Sequence, residues 1–181
     1  ATVTFPVGVE FYMPDPAITA WTKQERALKG RGVPKKARPA KPERDPAYPT
    51  KQAVAVTLLK RFQTAFSWLR IRAVLADALY GTRTFLDETS ALFGGVQVIS
   101  QLRKNQKVRF KTREWSVETY FQKFPGTPLS IRIRGGVEQV TTVGSARLLV
   151  TAHQTKRFVL AMKYEGEDEY RYLVATDMSW R

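Results

Sequence analysis

The sequence predicts an α/β to α+β fold, in which a parallel strand–helix–strand unit runs into a mostly antiparallel sheet. Three observations carry this expectation. An amphipathic helix, an apolar strand, a capped helix and a second apolar strand follow one another between residues 51 and 102. Strand, helix and strand within about thirty residues make a parallel crossover. Beyond residue 105 the chain turns to short segments that alternate or run apolar with turn residues between them, the pattern of an antiparallel sheet.

The elements follow in order. VTFPVGVEFYM, from Val3 to Met13, is rich in β-branched and aromatic residues and reads as a strand, broken or bulged near Pro6 and Gly8. The PDP at 14–16 ends it. Residues 23–50 are dense in Lys, Arg and Pro and read as a loop or mobile arm. Lys23, Arg26, Lys29, Arg31, Lys35, Lys36, Arg38, Lys41 and Arg44 carry much of the basic excess there. The arm is either a solvated linker or a phosphate-contacting segment that orders on binding. Thr50 caps a helix over 51–69, whose Ala55, Leu58, Leu59, Phe62, Phe66 and Leu69 form a core-facing stripe. IRAVLAD, 71–77, is nearly continuous in apolar residues and is expected to be a central strand, buried on both faces. Thr82 caps a helix over 83–93, Gly94 and Gly95 close it, and VQVISQL, 96–102, is the second strand. SVETYFQKF, 116–124, reads as a short helix, and EGEDE, 165–169, as a hairpin tip.

Composition narrows the chemistry. The chain has 181 residues, 43% hydrophobic and 12% aromatic, enough to bury a core in one domain with or without an insertion. Its formal net charge is +14, which favours a polyanionic partner, nucleic acid above all. There is no cysteine and one histidine, His153. Disulfides, thiol catalysis and cysteine-bound zinc are excluded, and a histidine cluster is not available. Any metal would be a hard cation held by carboxylate oxygens. His153 is expected on a strand with a hydrogen-bond partner. No run is long and apolar enough for a membrane span, and the amino terminus does not read as a signal peptide. The chain starts without Met, as if entered in mid-domain, a start that processing or a cloning boundary would also produce.

One acid stands out. In open parallel sheets, ligands gather beyond the carboxyl ends of the strands, and Asp77 ends the first predicted strand of the crossover. It is either a turn-capping aspartate or a ligand. Two-metal phosphoryl transfer needs several carboxylates around ions about 3.5–4 Å apart. Asp15 in its proline turn, Asp87 and Glu88 on a solvent-facing helix surface, the acids of the 165–169 turn and Asp177 after the last strand make no evident set with Asp77.

The order FPVGVEFYMPDP, basic loop, TLLKRFQTAFSWLRIRAVLADALYGTRTFLD, VQVISQLRKNQ and YRYLVATDMSWR resembles the middle of a bacterial insertion-sequence transposase. The branch is the cut-and-paste DDE group, which has a ribonuclease H-like core and a β-rich insertion. VLADALYG and LVATDMSWR carry most of the resemblance, which covers essentially the whole chain. It implies a partial core over 1–105 that includes the basic loop 23–50, an insertion over 106–170, and a strand over 171–181 returning to the core. It implies that Asp77 is the second of three catalytic acids and a ligand for Mg²⁺ or Mn²⁺. The first acid would lie upstream of Ala1, and the Glu of a Tyr-Arg-Glu-Lys helix downstream of Arg181. The chain alone would then be inactive. Transposon-end and target DNA are the implied substrates. Arg103, Lys104 and Lys107 would contact DNA backbone, as would Lys35, Lys36 and Arg38 of the arm, with Arg132, Arg134 and Arg147 as weaker candidates. Trp115 and Trp180 would either pack in the core or stack on an unstacked base. The resemblance further implies a homo-oligomer of the full-length protein in the bacterial cytoplasm, associated with the nucleoid. Two other readings stay open: a non-catalytic nucleic-acid-binding module, and a truncated regulatory partner of an intact transposase.

Overall fold

A computed structural model describes residues 4, 6–132 and 136–179. The chain divides into two compact units, residues 1–65 and 66–181.

The N-terminal unit is helical. Helix α1, Pro16–Gly30, begins where Asp15 caps it: Oδ1 accepts from the amides of Ala17 (2.8 Å) and Ile18 (3.1 Å), and Pro16 supplies a preset φ at the first position. Gly32, at φ 75°, ends it, as the Val33 amide reaches back to the Leu28 carbonyl (3.1 Å). This corrects the loop expected from residue 23, because Lys23, Arg26 and Lys29 are helical. Ile18, Trp21, Glu25 and Leu28 form the half-buried stripe that makes the helix worthwhile. The following segment folds back onto α1. Trp21 Nε1 donates to the Pro39 carbonyl (3.0 Å), and Arg38 Nη1 meets Glu25 Oε1 (2.5 Å). Lys35–Ala37 is a single 3-10 turn. Helix α2, Lys51–Ala65, is capped as expected, with Thr50 Oγ1 accepting from the Ala53 amide (3.1 Å). It stops four residues short of the expected 69.

Residues 4 and 6–13 form no strand. A strand needs a ladder partner, and these residues find none among the described residues. Val9 and Phe11 consequently stay 79% and 84% exposed. Val3 and Phe5, part of the same expected strand, lie outside the described residues.

The C-terminal unit is one mixed, mostly antiparallel sheet of eight strands, and the α+β class holds. Strand β1, Ala73–Ala76, pairs in parallel with β2, Gln97–Leu102, through helix α3, Arg83–Leu92. Gly94 and Gly95, both at positive φ, turn the chain out of α3, with the Gly95 amide on the Ser90 carbonyl (2.7 Å). The expected crossover is therefore present. Then come β3 (Lys107–Phe110), β4 (Arg113–Ser116), α4 (Val117–Lys123), β5 (Thr127–Arg132), β6 (Glu138–Val150), β7 (Thr155–Tyr164) and β8 (Arg171–Ala175). The sheet order is β1-β2-β8-β7-β6-β3-β4, with β5 also on β6, and every pairing except β1–β2 is antiparallel. The acidic turn 165–169 does join β7 to β8.

Two corrections concern the site. β1 is an edge strand in this sheet, not a central one, and Leu75 is 75% exposed. The apolar run reflects composition, whereas a central place needs a strand on each side and burial of both faces needs a layer packed over each. His153 lies in a 3-10 turn, Thr151–His153, between β6 and β7, not on a strand. The core lies on one face of the sheet, where Phe85 and Leu86 of α3 and Phe121 of α4 pack over Val98, Val108, Leu148, Val159 and Val174.

Candidate functional site

Asp77 follows directly on β1 and caps the 3-10 turn Ala78–Tyr80. Its Oδ1 accepts from the Leu79 amide (2.8 Å), and the residue is exposed. Its backbone carbonyl accepts twice, from the Tyr80 amide (3.1 Å) and from Ser100 Oγ (2.6 Å) on neighbouring β2. One carboxylate oxygen is thus fixed by the turn, and the other accepts no hydrogen bond among the described residues. The capping and ligand readings of Asp77 are compatible, because the cap uses only one oxygen.

The turn is braced from below and from the side. A Cβ on Gly81 would stand 2.7 Å from the Gln101 carbonyl oxygen, so only glycine lets the turn lie this close to β2. The Gly81 carbonyl contacts His153 Nε2 at 3.0 Å, tying the Asp77 turn to the β6–β7 turn. His153 is buried, and its Nδ1 has no partner among the described residues. Burial holds its pKa below the ordinary histidine value, with Arg157 and Arg83 acting in the same direction. The Gly81 bond and Asp87 oppose that shift. Buried Arg157 is itself paired with Asp87 of α3, which also meets Arg83 Nε at 3.5 Å.

The other acids do not join Asp77. Asp15 is a buried helix cap in the N-terminal unit, and its second oxygen accepts from the Asp45 amide (3.0 Å). Burial alone would raise its pKa, but the Asp45, Ile18 and Ala17 amides and Arg44 hold it below the usual carboxylate range. Asp87 is committed to arginines. Glu169 pairs with Lys104 Nζ (2.9 Å). The Asp177 amide bonds Gln97 Oε1 (2.7 Å) at the amino end of β2, whereas Asp77 lies beyond the carboxyl end of β1. Hydrogen bonds from Ser179 lower the Asp177 pKa. Among the described residues, no three His, Asp or Glu side chains converge to hold a metal ion.

The basic candidates divide. Arg103 and Lys104 leave the carboxyl end of β2, the parallel neighbour of Asp77's strand, and Lys107 opens β3; all three are exposed. The hydrogen bond to Glu169, then the charges of Glu169 and Glu118, raise the Lys104 pKa, so this cation is already partly compensated. Lys35 and Lys36 are exposed in the N-terminal unit, whereas Arg38 is spent on Glu25 and the Val33 carbonyl (2.8 Å). Arg132 Nε approaches the Gly136 carbonyl (3.4 Å), and Arg147 Nε donates to the Met178 carbonyl (2.6 Å). Arg134 and Trp180 lie outside the described residues. Trp115 is half-buried beneath Lys123, whose Nζ sits 5.3 Å from the ring centre. Sequence reading missed Ser100, Gly81 and His153 as supports of the Asp77 turn.

No helix among the described residues is long and apolar enough to cross a membrane. A family model described as DDE superfamily endonuclease matches residues 1–158. No curated protein and no solved structure matches the chain.

Proposed function

Since the chain belongs to the DDE superfamily of endonucleases, we propose that it is an internal piece of an insertion-sequence transposase that cleaves and joins DNA at transposon ends. The observation that carries this reading is Asp77. It is an exposed acid just past the carboxyl end of a parallel strand, with one carboxylate oxygen fixed by its turn and the other without a hydrogen bond among the described residues. Residues 1–105 and 171–181 would belong to the ribonuclease H-like core and 106–170 to the insertion. Arg103, Lys104 and Lys107, with Lys35 and Lys36, would meet the DNA backbone, and Arg38 would do so only on release from Glu25. The full-length protein would act as a homo-oligomer in the bacterial cytoplasm.

The complete enzyme would use Mg²⁺ or Mn²⁺, which activate the attacking oxygen and stabilise the leaving one. The described residues do not by themselves fit a two-ion site, because they offer Asp77 without converging partners. Asp77 would supply one ligand of three. The hydrogen bonds of its turn orient the carboxylate, which metal geometry demands of a ligand.

The test uses the purified chain with supercoiled DNA and either cation. No nicking is expected. Mn²⁺ should broaden the Ala78–Tyr80 amide resonances only weakly, and Asp77→Asn should abolish that broadening. Cation-dependent cleavage lost in Asp77→Ala would show that the chain is a complete nuclease and overturn the fragment reading. Broadening unaffected by Asp77→Asn would remove Asp77 from the metal site.

A further inference from the structure

Helices α3 and α4 cover one face of the C-terminal sheet, and the other face carries a row of cations that form few ion pairs among the described residues. Strand alternation assigns the faces. On β3, Val108 is fully buried toward the helices, so Lys107 and Arg109 point away. Register carries that outer face across the sheet. Arg109 lies opposite Leu149 on β6, and Leu149 opposite Lys156 on β7. Arg147, two residues from Leu149 on β6, shares the face. Cations far apart in sequence are thereby collected on three adjacent strands.

Lys107, Arg109 and Lys156 are exposed, and none forms an ion pair among the described residues. Elsewhere in the unit, Lys104, Arg157 and Arg171 each have a carboxylate. The acid on the row, Glu114 opposite Arg109 on β4, instead accepts from Thr151 Oγ1 (3.2 Å). Like charges on neighbouring strands repel, and a polyanion relieves that repulsion. Phe158, the aromatic residue opposite Arg147, is buried, so it adds no aromatic platform to the row of cations. Charge spread over three strands suits the regularly spaced phosphates of a nucleic-acid backbone. Lys156 also lies three residues beyond His153, so the row begins beside the turn that braces Asp77.

We infer that Lys107, Arg109 and Lys156, flanked by Arg147, form a stripe that takes the phosphate backbone of duplex DNA. The inference rests on DNA being the substrate. The test is fluorescence anisotropy with a duplex of about 30 base pairs, over about 50–200 mM NaCl. The triple variant Lys107→Gln, Arg109→Gln, Lys156→Gln should flatten the plot of log affinity against log salt by about 2–3, at about 0.9 for each phosphate no longer neutralised. A charge-matched control, Lys23→Gln, Arg26→Gln, Lys29→Gln on α1, should flatten it much less. Equal flattening in the two variants, or an unchanged slope in the first, would overturn the stripe while leaving DNA binding intact. A wild-type chain without salt-dependent binding would instead sink the DNA reading itself. The single variants Lys107→Gln and Lys156→Gln, each expected to remove about 0.9 from the slope, keep the test available if the triple variant does not fold.

Discussion

At the residue scale, the Asp77 turn depends on groups that never touch its carboxylate. Ser100 is buried and spends its hydroxyl on the Asp77 carbonyl. Ser100→Ala should therefore cost about 1 kcal/mol in urea unfolding, the usual net worth of one such bond, since Tyr80 still serves the same carbonyl. Gly81→Ala should cost more, about 1–3 kcal/mol, because the added Cβ meets backbone that cannot swing aside. If both variants melt like wild type, the turn is not held as described. The position of Asp77 was legible in the sequence, since a greasy run ending on an acid before a turn is a local pattern. Ser100, Gly81 and His153 were not. Their roles arise only when β2 lies beside β1 and the β6–β7 turn reaches over to Gly81, which brings together residues far apart in the chain.

At the element scale, punctuation proved a better guide than charge. Asp15, Pro16 and the glycines at 30 and 32 spell the two ends of α1, and Ile18, Trp21 and Leu28 recur at helical spacing within it. The lysines and prolines that follow obscured this signal. The crossover β1–α3–β2 and helix α4 were readable because each is set by local periodicity and caps. The place of β1 at the sheet edge was not, because strand order depends on pairing between distant segments. That edge has a consequence for behaviour. β1 presents an edge with no strand paired to it among the described residues, beside an exposed Leu75, a template for pairing with another copy. The chain is expected to self-associate in sedimentation velocity as concentration rises. Leu75→Lys should keep the protein monomeric to about tenfold higher concentration, equivalent to about 1.4 kcal/mol of association energy. A wild-type chain that stays monomeric throughout would refute edge pairing.

At the scale of the whole molecule, the charge of +14 was plain from composition and favours a polyanionic partner, but the proposed stripe required the register of β3, β6 and β7. The single histidine gives the molecule one further global property. In the unfolded chain His153 takes up a proton near pH 6.5. In the folded chain, burial, with Arg157 and Arg83 adding to it, lowers its pKa, so the unfolded state binds more protons as the pH falls. Stability should be full above about pH 6.5 and decline as acid carries the pH down through the folded value. The urea midpoint at pH 5.5 should lie below that at pH 7.5, and His153→Gln should shrink the difference. Equal midpoints in the wild-type protein would show that His153 titrates alike in both states. The bond from His153 to Gly81 also joins regions of very different tenacity. β1 is held by four residue pairs along one side, while β6 and β7 share ten pairs within the sheet interior. Local opening frees thinly tied edges first and multiply tied interior strands last. The backbone that carries Asp77 is therefore expected to exchange its amide protons sooner than β6 and β7, to which one imidazole tethers it.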